Sequence, residues 1–379
     1  MLNPPKATLL LLFVHGFKGH DHHTFLDFPT RIMTIFTNAN LNLDVESVVY
    51  PQYDTRGDFN GAVNNFVDWT QQQVKSREAF NLKVYTRKPE DNPTGEPDVI
   101  PPVYVCFLGH SMGGLVAADA ALVLDALPGK SPVIGILAFD TPYFGLNHTI
   151  FTQAAYDRVS GIAQKATGAY SLVSAYLPAA GAAWGALSAP SATNSGGQSR
   201  SGSSPSEKEK GALAKGATPP ASSPKWGWGS IALGVGAVVA ATGAAVVVSN
   251  RTGGMEYVTS HIQFVGILWN SSQLKQRMTS LLKLPMGFHC FYTQVQIPAS
   301  ASNNFRSTSR TFIELASIPT NDITKTRTLF SARECSGQDE IEAHMEMFNP
   351  SKNFDYYRMG EETVNRVKEM VEGALSRKV

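Results

Sequence analysis

The sequence predicts an α/β fold: a mostly parallel sheet with helices on both faces, interrupted by an apolar, Ala/Gly-rich helical insertion. Three observations carry that prediction. Short apolar runs alternate with helix-length stretches over residues 1–150, and the pattern resumes after about residue 255. One apolar run ends in Gly109-His110-Ser111-Met112-Gly113 and passes directly into a helix of small residues. Between the two patterned regions the composition changes sharply, with no charged residue from Ala166 to Ser199. The chain therefore divides into a first part of the core at 1–150, an insertion at 151–254 and a second part of the core at 255–379.

The first strand is expected at 8–14, where Thr8-Leu9-Leu10-Leu11-Leu12-Phe13-Val14 reads as a strand buried on both faces. At about seven residues this run is at the bottom of the length range for the apolar region of a secretory signal, which argues against one. Only Lys6 precedes it and no small-residue cleavage site follows. Further strands are expected at 44–50, 102–108 and 132–139, with helices between them at about 24–38, 60–78 and 113–127. The last of these helices opens with Gly113-Gly114, small enough to pack closely on a strand. Beyond the insertion the pattern predicts a helix at about 256–284, strands at 288–297 and about 311–317, and a final amphipathic helix at about 361–375.

Composition excludes several classes of function. Of the 379 residues 43% are hydrophobic and 17% charged, which is a globular balance and not a disordered one. With 32 Lys+Arg against 31 Asp+Glu there is no basic field for a phosphate backbone, so nucleic acid is not an expected partner. The three cysteines, Cys106, Cys290 and Cys335, are too few and too far apart for a zinc cluster or a disulfide framework. They favour a reducing compartment.

The Gly109–Gly113 motif sits in the strand–turn–helix setting of a nucleophile elbow. A Cβ two residues before or after Ser111 would collide with the neighbouring strand or helix, and the serine would take a strained backbone that lifts its Oγ above the sheet edge. The first strand ends in His15-Gly16-Phe17, as the oxyanion loops of hydrolases do. The backbone N–H groups of Met112 and Phe17 are the expected oxyanion donors.

Four segments together resemble a family of serine esterases of lipase-like α/β-hydrolase fold, and within it a fungal, membrane-associated branch. They are Val14-His15-Gly16-Phe17, Gly109-His110-Ser111-Met112-Gly113-Gly114, Phe139-Asp140-Thr141-Pro142-Tyr143-Phe144-Gly145 and Asp339-Glu340-Ile341-Glu342-Ala343-His344. The resemblance covers residues 1–150 and about 255–379. It implies an ester or lipid hydrolase without naming a substrate.

Hydrolases of this fold order their residues Ser, then Asp or Glu, then His. Late in the chain the choice of base lies between His289, inside a strand pattern, and His344, in a short acidic segment ahead of the last helix. His344 is the expected base. Asp140 directly follows a strand and is the expected acid, while Asp322 and Glu314 are the alternatives. The cluster His15, His20, His22 and His23 lacks a carboxylate or cysteine set of defined geometry, so no metal is expected, and the reaction needs no cofactor. Tyr53-Asp54-Thr55-Arg56-Gly57 reads as a loop near the mouth of the site.

The expected activity is hydrolysis of a carboxylic ester, of a lipid or other hydrophobic substrate, through an acyl-enzyme on Ser111. The rival readings are a membrane-anchored interaction protein with a non-catalytic hydrolase fold, and an acyltransferase using the same three residues. Within the insertion, residues 229–248 carry only Ser230 and Thr242 as polar side chains, and as a helix they would match the thickness of a bilayer. Ser111 precedes this segment and His344 follows it, yet the two have to meet, so a single crossing is excluded. The uncharged segment 166–189 supplies a second span, which predicts a helical hairpin with residues 190–225 as a flexible polar tip. Membrane lipid is then a partner and the catalytic part faces the cytosol. The alternative is an apolar cap on a soluble cytoplasmic enzyme.

Overall fold

A computed structural model describes residues 4–16, 23–53, 58–88, 92, 95, 97–129, 131–147, 266–297, 308–315 and 328–377. They belong to one of two compact units, made of Met1–Leu177 and Asn250–Val379. The insertion at 151–254, with its apolar segments 166–189 and 229–248 and its linker 190–225, lies outside the described residues.

Among the described residues seven strands form one sheet: β1 (Thr8–Val14), β2 (Asp44–Val49), β3 (Val103–His110), β4 (Val133–Phe139), β5 (Gly287–Ile297), β6 (Thr308–Thr311) and β7 (Phe330–Glu334). Their order is β2-β1-β3-β4-β5-β6, with β7 also paired to β5. Every pairing is parallel except β5 with β6. This is the mostly parallel α/β sheet that the strand–helix alternation predicts.

The central strands are apolar throughout because both faces are covered. Leu10, Leu12, Val105, Phe107, Ile136 and Ala138 pack toward α2 (Phe59–Tyr85), α3 (Met112–Ala126) and α4 (Ser271–Leu281). Leu9, Leu11, Phe13, Cys106, Leu108 and Phe139 pack on the other face toward α1 (Phe28–Asn38) and α6 (Tyr356–Ser376). A short helix, α5 (Glu340–Met345), lies between β7 and α6. In register, Val14 lies opposite Gly109, and His110 opposite Phe139. The residues that follow β1, β3 and β4 therefore leave the sheet together at its carboxyl edge, where sites of open α/β sheets are built.

The second half of the chain departs from the sequence expectations in detail. The single helix expected at 256–284 is, in its described part, a 3-10 turn at Gly266–Trp269 followed by α4. Asn270 separates the two, and its side chain accepts the Gln273 N–H as a helix cap. The strand expected at 311–317 lies earlier, at Thr308–Thr311, and β7 has no counterpart among the expected strands. His344 is on α5 and not in a loop. The last helix begins at Tyr356, since Tyr356, Met359 and Gly360 are already buried.

Candidate active site

Ser111 lies between β3 and α3 with φ 55° and ψ −130°, a conformation that costs a non-glycine residue of order 1–3 kcal/mol. The glycines around it are required by close approach. A Cβ on Gly109 would sit 2.5 Å from the Cα of Gly114, and one on Gly113 would sit 2.6 Å from the carbonyl oxygen of His15. The elbow is pinned from outside as well. Tyr143 donates its hydroxyl to the Gly114 carbonyl at 2.9 Å, and Thr141 donates to the Gly109 carbonyl at 3.4 Å. The segment after β4 thus holds the turn through the side chains of its second and fourth residues.

The imidazole of His344 reaches over the serine, with Nε2 3.0 Å from Ser111 Oγ. Its other nitrogen, Nδ1, lies 2.8 Å from Asp140 Oδ2. A carboxylate only accepts, so Nδ1 carries the hydrogen and Nε2 is left to accept the serine O–H. The structure therefore brings Ser111, His344 and Asp140 into one hydrogen-bonded line. Asp140 is 0% exposed and its backbone sits at φ 49°, a left-handed conformation that aspartate tolerates better than most residues.

The sheet explains how a carboxylate survives at that depth. β4 accompanies β5 as far as Phe291, and β6 joins at Gln294. In the gap between them, the Thr293 N–H donates to Asp140 Oδ1 at 3.0 Å and the Thr293 hydroxyl donates to Oδ2 at 2.5 Å. Asp140 takes the place of the missing strand carbonyl and receives in return the donors that an ionised carboxyl requires.

Two rings hold the imidazole flat. Phe312 stacks on one face of His344 with centroids 3.7 Å apart, and His110 stacks at 4.6 Å. Both lie nearly parallel to it, so they occupy opposite faces. His110 Nε2 is 3.2 Å from the His344 carbonyl and must be the donor there. Burial, and then the neighbouring His344, holds the His110 pKa well below the usual histidine range, so this ring stays neutral.

Gly16 closes the other side of the serine. A Cβ at Gly16 would lie 2.6 Å from the Ser111 Cβ. The backbone there is fixed by the Tyr53 hydroxyl, which donates to the His15 carbonyl at 2.8 Å, while the two rings stack at 4.7 Å. The Met112 N–H belongs to the first turn of α3, whose dipole favours negative charge at this point. Phe17 lies outside the described residues, as do Asp322, His20, His22 and residues 54–57. Of the alternatives that are described, Glu314 bonds the Gly145 carbonyl through its backbone N–H. His289 is buried in β5 and its ring bonds the Ser331 hydroxyl at 2.8 Å. Thr293, Phe312 and the stacking role of His110 carry no sequence motif that could have found them.

No family model matches this chain, and no curated protein matches it by sequence. Among solved structures, phospholipase PlaB from Legionella pneumophila in complex with thio-NAD matches with a TM-score of 0.26 and 15% identity, over 40% of this chain and 29% of the other. A soluble variant of monoglyceride lipase from Saccharomyces cerevisiae in complex with a substrate analog matches with a TM-score of 0.24 and 17% identity, over 43% of this chain and 45% of the other. The chain thus spans less than half the length of each of these two structures.

Proposed function

We propose that the chain is a serine hydrolase that cleaves carboxylic esters through an acyl-enzyme on Ser111. The observation that carries this reading is the line from Ser111 Oγ through His344 to Asp140, at 3.0 Å and 2.8 Å. His344 Nε2 takes the serine proton as Oγ attacks the acyl carbonyl, and Asp140 holds the imidazole in the required tautomer. The same nitrogen then delivers the proton to the leaving alcohol, and water clears the acyl group by the reverse sequence. The Met112 N–H, joined by that of Phe17, is proposed to receive the oxyanion.

The strain at Ser111 supports catalysis over a purely structural use of the fold. A protein under no demand for an exposed Oγ has no reason to keep a serine at φ 55°. A hydrophobic ester is the proposed substrate class, supported by the apolar Phe312 ring beside the base and by the apolar insertion. The composition of that insertion also supports attachment to a membrane. Among the described residues no helix is long and apolar enough to cross one. Two measurements test the reading: turnover of a short-chain p-nitrophenyl ester, and covalent labelling of the purified chain by a fluorophosphonate. Absence of both overturns it, and carbonate extraction of expressed protein tests the attachment separately.

A further inference from the structure

We infer that Phe312 is a positioning residue whose aromatic face stabilises the imidazolium form of His344, an inference that rests on the serine-hydrolase reading. In the first step the Ser111 O–H bond breaks, its proton moves to His344 Nε2, the Oγ–C bond forms, and the carbonyl π pair becomes the oxyanion. Positive charge therefore appears on a ring that lies 3.7 Å from the Phe312 centroid, with the planes 17° apart. The face of an aromatic ring is negative, and a cation placed over it within about 6 Å is attracted. When the intermediate collapses, the C–O bond to the alcohol breaks and Nε2 returns the proton to it. The attraction is thus strongest while the ring is charged, in the transition states and the intermediate between them.

The placement of Phe312 is built by the surrounding structure. Its carbonyl accepts the Asn147 N–H at 2.9 Å, and the preceding Thr311 hydroxyl is 3.1 Å from the Asn147 amide nitrogen. The next residue, Ile313, bridges Leu146. On the other side, Arg310 of β6 is ion-paired with Glu340, which is 1% exposed and lies on the helix that carries His344. The strand that leads into Phe312 and the helix bearing the base are therefore tied together one helical turn from where the rings stack. The charged and titratable groups around the imidazole are consistent with a cation forming there. Asp140 at the end of β4 bonds Nδ1, and the Arg310–Glu340 pair is mutually neutralised. On α5 itself, Glu342 is engaged by the Gln338 N–H and by Lys352, and Glu346 accepts from Asn349. His110, on the opposite face, stays neutral and does not repel the charge.

The experiment is an NMR titration of the His344 imidazole in the full chain, alongside pH profiles of kcat/KM. Phe312→Leu keeps an apolar cover and removes the quadrupole. It is expected to lower the His344 pKa by roughly half to one and a half units, with a loss of about threefold to thirtyfold in kcat/KM at pH values above both pKa values. Phe312→Trp is expected to retain the wild-type pKa. Pentafluorophenylalanine at position 312 keeps the shape while reversing the quadrupole, so it serves if the leucine variant does not fold, and it is expected to lower the pKa further. An unchanged or raised pKa in the leucine or fluorinated protein would overturn the inference. The titration needs no turnover, whereas fluorophosphonate labelling of Ser111 reports the hydrolase reading, so failure of one is distinguishable from failure of the other.

Discussion

Asp140 and Thr293 are joined by two hydrogen bonds, one from the threonine N–H and one from its hydroxyl, across the point where β5 has lost one neighbour and not yet gained the next. The carboxylate completes the sheet and orients the imidazole at once. Thr293→Val should remove the hydroxyl donor from a fully buried carboxylate and cost about 1.5–3 kcal/mol of stability. It should also lower ester turnover, while Thr293→Ser should restore both. Urea denaturation and turnover of the two variants check this, and equal behaviour of valine and threonine would remove Thr293 from the account.

Ser111→Ala should abolish fluorophosphonate labelling while leaving the unfolding midpoint close to that of the parent, because alanine keeps the Cβ and with it the same backbone cost at φ 55°. Gel fluorescence after labelling is sufficient. Retained labelling would move the nucleophile elsewhere.

Asp140→Asn should reduce kcat by about four orders of magnitude, since an amide donates to Nδ1 and forces the hydrogen onto Nε2, the wrong nitrogen for accepting the serine proton. His344→Ala should be comparably damaging. If the asparagine variant turns over normally and Asp322→Asn does not, the acid is Asp322.

Gly16→Ala should leave a folded protein with a displaced serine, because the added methyl would meet the Ser111 Cβ at 2.6 Å. A misplacement of about 1 Å costs on the order of a hundredfold in rate. Circular dichroism together with labelling rates separates this outcome from misfolding.

His289 offers a test in pH. Burial, and then the nearby Arg366 and Arg333, push its pKa down to about 3. Its folded pKa lies below the unfolded one, so the unfolded chain binds the extra proton. The stability contributed by the neutral ring is complete above about pH 6.5 and is lost as pH falls toward 3, with a slope of about 1.4 kcal/mol per pH unit. His289→Gln should flatten the decline between pH 6.5 and 5, measured by denaturant midpoints. An unchanged slope would assign the acid sensitivity to other groups.

The elements legible in the sequence are those whose physics is local. β1, β3 and β4 are apolar on both faces and announce themselves, and Gly109 of the elbow follows from Gly114 close by in the chain, whereas Gly113 is required by the His15 carbonyl just beyond β1. β7 is different. Its sequence, Phe330-Ser331-Ala332-Arg333-Glu334, looks like an exposed segment, yet Arg333 is 2% exposed because Glu362 pairs with it and Phe291 lies beneath its guanidinium at 4.5 Å. The helix that carries His344 did leave a signal, since Asp339 accepts the Glu342 N–H and Glu342 accepts that of Gln338. The Thr293 and Phe312 contacts depend on where β4 stops and β6 starts, which is a property of register between distant segments and not of any single stretch.

The order of residues along the chain sets the order in which the site can come into being during synthesis. A ribosome emits β1 through β4, and with them Ser111 and Asp140, well before β5, Thr293 and His344. Until β5 arrives, β4 is an open edge made of Val133-Ile134-Gly135-Ile136-Leu137-Ala138-Phe139, the kind of unpaired apolar strand that invites association with other chains. At that stage Ser111 lacks its imidazole partner and Asp140 lacks both threonine donors, so the growing polypeptide carries the proposed nucleophile in an inactive setting. The arrival of β5 closes the edge, and α5, emitted after β6 and β7, then delivers the imidazole. Competence for chemistry therefore comes last, after the sheet that would otherwise be prone to aggregate has been sealed.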